Sequence, residues 1–138
     1  MQERLFTIDE VNALIPRLEL IMSKLQRQSL ALREGLAEVA RHTEQPLDDL
    51  STTQILELRP QLRPVIEEME MLIGELASWR VQLKGLDLGL IDFPAELNGE
   101  RVLLCWQYGE KEVGYYHTPD TGFAGRKPLH PNVERLLQ

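Results

Sequence analysis

The chain has 138 residues, 43% of them apolar, and a net charge of −7, which fits one domain with a modest core and does not make disorder the default reading. Residues 1–98 carry 10 basic and 17 acidic side chains and residues 99–138 carry five of each, so no dense basic run exists for a nucleic-acid backbone. The start lacks the basic and apolar regions of a signal peptide, and no apolar run reaches membrane-spanning length, so the expected location is the cytoplasm without membrane contact. Cys105 is the one cysteine, which excludes an intrachain disulfide.

Thr7-Ile8-Asp9-Glu10 fits a capping box, in which a hydroxyl and a carboxylate reciprocally satisfy free N–H groups, with Leu5 and Phe6 placed for a hydrophobic staple. Apolar residues then recur at spacings of three and four from Val11 to Val39, which predicts a helix over 8–41, about 50 Å long at 1.5 Å per residue. Pro16 removes the bond back to Asn12, so a kink is expected there and not a break. Residues 43–50, with Pro46 and Asp48-Asp49, read as a loop.

Ser51 and Gln54 form a second capping-box pattern, but Pro60 and Pro64 follow quickly. The expected second helical segment, 52–84, is therefore short and irregular at first, then a long helix from Pro60 or Gln61 to Lys84, with Gly85 as its C-cap. Two such helices form an antiparallel hairpin. Their second apolar rows (Ile15, Met22 and Leu36; Ile66 and Ile73) exceed what a small sheet covers, which predicts a homodimer built as a four-helix bundle. A bent hairpin wrapped around its own sheet is the alternative.

Residues 89–117 predict a three-stranded antiparallel meander. A two-residue turn at Asn98-Gly99 pairs Leu97 with Glu100, hence Phe93 with Leu104 and Ile91 with Trp106. A second two-residue turn at Gly109-Glu110 pairs Leu104 with Tyr115 and Val102 with His117. One face then carries Phe93, Leu104, Trp106 and Tyr115 toward the helices, with His117 at its edge, and the other carries Asp92, Cys105 and Tyr116. A single-residue bulge would flip the third strand. Residues 118–138 read as a loop followed by a short helix at Pro131–Leu137.

Asp87, Asp92, Glu110, His117, Asp120 and Arg126 are the polar residues of this half. Carboxylates beside a histidine can bind a divalent metal or act as general acid and base. The register above separates Asp92 from His117 and leaves Glu110 in a distant turn, so those three cannot share one ion without a bulge or a partner chain. No H-x-x-x-H, C-x-x-C or D-x-D spacing is present. The ligand-binding candidates are thus Asp87, His117, Asp120 and Arg126, with His117 and Asp120 as the metal candidates; no other cofactor is expected. Each has a structural alternative: a hydrogen-bonded core histidine, turn carboxylates accepting backbone N–H groups, and an arginine swung onto a carboxylate. Gly122–Arg126 lacks a phosphate-loop frame, Cys105 reads as an ordinary thiol, and Trp79 and Trp106 read as core.

The opening Phe6-Thr-Ile-Asp-Glu-Val-Asn-Ala-Leu-Ile-Pro16 and the later Gly89-Leu-Ile-Asp-Phe-Pro94, Leu104-Cys-Trp106, Gly109-Glu110, His117 and Gly122-Phe-Ala-Gly-Arg126 resemble the bacterial family called domain of unknown function 2203. Asp87, Asp92, Trp106, Glu110, His117, Gly122, Phe123 and Arg126 match its polar and turn positions; Leu88 departs from the threonine expected there. The resemblance implies a bacterial, cytoplasmic protein and supplies no activity.

The expectation is an α+β fold: a long antiparallel helical hairpin, a small three-stranded meander and a short C-terminal helix, as one domain over 1–138. Two long apolar stripes and no catalytic spacing favour a non-enzymatic dimeric scaffold or interaction module, with a partner helix along the acidic hairpin as a further possibility. The alternative is a small-ligand or metal-dependent enzyme with its site near His117, Asp120 and Arg126.

Overall fold

The computed structural model describes residues 3–129; the helix expected at Pro131–Leu137 lies outside them. The chain divides into two compact units, one made of residues 23–74 and the other of the chain up to Met22 together with the chain from Glu75.

Helix α1 spans Ile8–Thr43 and runs through Pro16 without interruption. Its start is the expected capping box: the Thr7 N–H donates to Glu10 Oε1 at 2.9 Å and the Glu10 N–H to Thr7 Oγ1 at 3.1 Å. In the 23–74 unit the chain continues through a single 3₁₀ turn at Leu47–Asp49, helix α2 at Thr52–Leu58 and the start of α3, Leu62–Ser78. Both bonds of the Ser51/Gln54 capping box are present. Gln28 donates to Glu68, while Leu62 lies over Gly35, so α1 and α3 run antiparallel in this unit, as a hairpin requires. Ile15 and Met22, expected to face water in a single chain, are 4% and 0% exposed.

Helix α3 stops at Ser78, not at Lys84. The Ser78 hydroxyl donates back to the Glu75 carbonyl, and Arg80 takes a left-handed φ of 61°, which turns the chain out of the helix. Gln82–Gly85 is then strand β1. Leu76, Trp79 and Leu83 have a helical spacing, but pairing Gln82 with Asp92 and Leu83 with Ile91 satisfies the edge of the next strand, and that non-local gain wins.

The described residues hold a five-stranded antiparallel sheet in chain order: β1, β2 (Leu90–Leu97), β3 (Glu100–Gln107), β4 (Tyr115–His117) and β5 (Lys127–Pro128). This extends the expected meander by one strand on each side. The β2–β3 register is the one the Asn98-Gly99 turn dictates, with Leu97 opposite Glu100 and Asp92 opposite Cys105.

The β3–β4 register is not. Leu103 pairs with His117, Leu104 with Tyr116 and Cys105 with Tyr115, one residue away from the expected pairing. The turn sits at Tyr108-Gly109, and the chain does not return directly. The Glu110 side chain accepts the Gln107 N–H at 2.7 Å, its carbonyl accepts Trp106 Nε1 at 2.9 Å, and the Val113 N–H donates to Asn12 Oδ1 at 2.8 Å. Side chains thus take up the backbone groups that a tight hairpin would have paired, and the longer loop brings β4 back with its faces exchanged.

Ile91, Phe93, Leu104 and Trp106 form one fully buried face, where Phe6 meets Phe93 edge to face at 5.2 Å between ring centres. The opposite face carries Asp92, Leu103, Cys105, Tyr115 and His117, and it is covered too, by the loop that follows β4. Among the described residues no helix is long and apolar enough to cross a membrane.

Gly89 closes the turn before β2 with a φ of 69°, and a Cβ there would lie 2.4 Å from Tyr108 Cβ. Gly89→Ala should destabilise the chain by about 2–4 kcal/mol, from left-handed strain plus the collision. Urea unfolding followed by tryptophan fluorescence measures it.

Candidate metal centre

Asp92 enters from β2, Cys105 from β3 and His117 from β4. All three are buried, at 2%, 1% and 2% exposure. One oxygen of the carboxylate, the thiol sulfur and one imidazole nitrogen all lie within 4.8 Å of one another. The Asp92–Cys105 pairing follows directly from the Asn98-Gly99 turn, and the exchanged faces of β4 add His117 to it.

His117 is held on both sides of its ring. Nδ1 lies 2.8 Å from the Thr118 carbonyl oxygen, which only accepts, so Nδ1 carries a proton. Nε2 lies 2.8 Å from Asp92 Oδ2, and one further proton occupies that contact. The Nδ1–H to carbonyl bond presents Nε2 as the outward nitrogen, the arrangement common to histidines that ligate metals. Burial makes the pair costly to break, because removing one partner leaves the other's polar atom away from water without its hydrogen bond.

Burial pushes the Cys105 thiol up to about 11, with the Asp92 carboxylate adding to the shift and Arg126 opposing it. Arg126 lies 3.9 Å from the sulfur through Nη1, donates to Glu110 Oε2 at 2.7 Å through Nη2, and stacks 3.8 Å above the Tyr115 ring. Burial is the largest single influence on Arg126 and works against its charge, but the bond to Glu110, the Glu110 charge and the contact with Cys105 together hold the guanidinium above its ordinary value. Around the sulfur there is thus one acid and one base, and the thiol is neutral near pH 7.

The loop after β4 roofs the three groups. Gly122 makes the turn possible with φ 66° and ψ −167°, a backbone region open essentially to glycine. Between roof and sheet lies a cavity of about 240 Å³ with Asp92, Cys105 and His117 along one side.

The sequence model of an uncharacterised conserved protein family, DUF2203, matches residues 4–129. The chain belongs to that family. No curated protein and no solved structure matches it.

In this DUF2203 chain the residues singled out from the sequence fall in different places. His117 is in the cluster, but its neighbours are Asp92 and Cys105 and not Asp120. Asp120 is exposed and accepts from the Thr118 hydroxyl at 2.7 Å, which lowers its pKa and spends it on the turn. Asp87 lies exposed in the turn between β1 and β2. Arg126 reaches the cluster from the side, through Cys105, and the carboxylate it is swung onto is Glu110. Asp92 lies on the face the Asn98-Gly99 turn predicts, while His117 lies on the opposite face from its expected one, because the loop after β3 is longer than a two-residue turn. Cys105, expected as an ordinary thiol, lies within the cluster. The signal in the sequence was the run Leu103-Leu104-Cys105-Trp106, which does not alternate and marks a strand buried on both faces.

Cys105 also sets a pH dependence. The thiol moves from its ordinary 9.0 to about 11 in the folded chain, so between those values the unfolded chain has released a proton the folded chain still holds. Its contribution to stability is therefore constant below about 9 and falls as pH rises toward 11. Chemical denaturation of wild type and Cys105→Ser at pH 8, 9, 10 and 11 should show a decline in wild type that the variant lessens.

Proposed function

We propose that this protein binds a divalent transition ion of the zinc class through Asp92, Cys105 and His117 and keeps a further ligand position toward the cavity. The observation that carries this reading is the convergence of a carboxylate, a thiol and an imidazole within 4.8 Å, all buried, on three adjacent strands. Thiolate with imidazole and carboxylate suits zinc, and three protein ligands with an open fourth position is the pattern of zinc sites that act on small molecules. Metal–ligand lengths of about 2.0–2.3 Å put tetrahedral ligand atoms roughly 3.3–3.8 Å apart, so Asp92 and His117, now 2.8 Å apart, need to separate by less than about 1 Å. Such an ion supplies Lewis-acid polarisation of a bound group. The residues prepare for it: the Thr118 carbonyl fixes the imidazole, and Arg126 places an N–H beside the sulfur that becomes a thiolate. A bacterial cytoplasm, implied by the resemblance, keeps that thiol reduced.

Binding requires the proton between Asp92 and His117 and the thiol proton to leave. Purified protein exposed to excess zinc and then dialysed should retain one zinc per chain by elemental analysis and gain thermal stability, with magnesium giving neither effect. Cys105→Ser should weaken zinc binding by a factor on the order of 100 or more, and the wild-type affinity should rise at least about tenfold per pH unit between pH 6 and 8. Retention of no zinc, with no thermal shift, removes the reading.

The helical unit supports a second reading, self-association or docking of a partner helix. Leu30, Leu58, Met71 and Ile73 are 52%, 46%, 74% and 42% exposed there. Sedimentation velocity from about 1 to 100 μM should show a concentration-dependent shift to a dimer; a compact monomer throughout counts against it.

A further inference from the structure

The cavity beside the cluster has a chemistry of its own. Its walls are Leu90, Leu103, Pro119 and Phe123, and one cation, Lys84, lines it. Lys84 is the unpaired residue at the β1 bulge, where the register shifts between Leu83 and Gly85, the kind of irregularity that re-aims a side chain next to a site. Arg126 does not add to this charge, because Glu110 neutralises it at 2.7 Å.

The charge balance is simple. A divalent ion held by one carboxylate, one thiolate and one neutral imidazole is a neutral unit. Without the ion, the carboxylate and imidazole share a proton and the thiol keeps its own, which is neutral again. In both states Lys84 leaves the lined cavity with a single positive charge. On size, a cavity of about 150 Å³ accommodates benzene, so 240 Å³ suits an aromatic or short aliphatic body with one small head group.

We infer that the cavity takes a small organic monocarboxylate, its apolar body against Leu103 and Phe123 and its carboxylate between Lys84 and the open position at the Asp92–Cys105–His117 cluster. This rests on the metal reading for the open ligand position and on Lys84 for the sign of the charge. An amine of the same shape meets Lys84 with like charge, and a neutral amide forgoes the attraction.

The test is calorimetric titration of zinc-loaded protein at low salt with benzoate, benzamide and benzylamine, repeated with Lys84→Gln after checking that zinc stoichiometry is still one. Benzoate should bind at least tenfold more tightly than benzamide, benzylamine should not bind, and Lys84→Gln should abolish the preference for benzoate. Equal binding of benzoate and benzamide, an unchanged preference in the variant, or no benzoate binding to zinc-loaded protein overturns the inference and leaves the metal reading standing. Should wild type fail to take up zinc, the metal reading falls, and the same titrations on metal-free protein decide this one. A Lys84-dependent preference for benzoate upholds a carboxylate site, and its absence overturns it.

Discussion

Glu110 occupies few atoms and controls much of the sheet. Its carboxylate accepts from the Gln107 backbone and from Arg126, and its carbonyl accepts from the Trp106 indole. These bonds fix the loop after β3 in a form that spends its polar groups locally, and β4 then returns one residue out of step with a tight hairpin. Since strand faces alternate with every residue, that one step decides whether His117 meets the apolar core or Asp92. The same carboxylate holds Arg126 beside Cys105 and over Tyr115, so one side chain both delivers the imidazole and anchors the far end of the roof.

A polar cluster this deep has to be electrically closed. Asp92 and His117 satisfy each other, and the second imidazole nitrogen is taken by a backbone carbonyl, so the ionisable pair leaves no orphan group among the described residues. Cys105 fits because as a thiol it is a small, nearly apolar side chain. An ion that displaced two protons from the cluster would exchange one neutral arrangement for another. Leu90, Leu103 and Phe123 give the adjoining cavity an apolar lining.

What could be read from the sequence was what is local in it. Thr7 with Glu10, Ser51 with Gln54, and Asn98 with Gly99 each act over three residues or fewer, and each formed as its pattern requires. The Asp92–Cys105 pair was legible for the same reason, as a count outward from a turn. The departures from the local pattern share a different cause. Gln82–Gly85 has helical spacing but is a strand, because β2 offers an edge that the local pattern cannot anticipate. His117 lies on the face opposite to the one a two-residue turn predicts, because Val113 finds its acceptor on Asn12, 101 residues away, and Glu110 finds Arg126, 16 residues away. Distant partners outweigh a plausible turn, and the register they impose brings His117 to Asp92 and Cys105.

The outermost strands carry a last implication. Among the described residues the sheet is bounded by a four-residue strand broken by a bulge at Lys84 and by a two-residue strand consisting of Lys127 and Pro128. Brevity, lysine, proline and a bulge are the devices by which proteins keep a rim from templating another backbone. This sheet is consequently a poor substrate for strand addition and amyloid-like stacking, despite five consecutive buried residues in β3 and six in β2. Any neighbour it acquires has to recognise side chains.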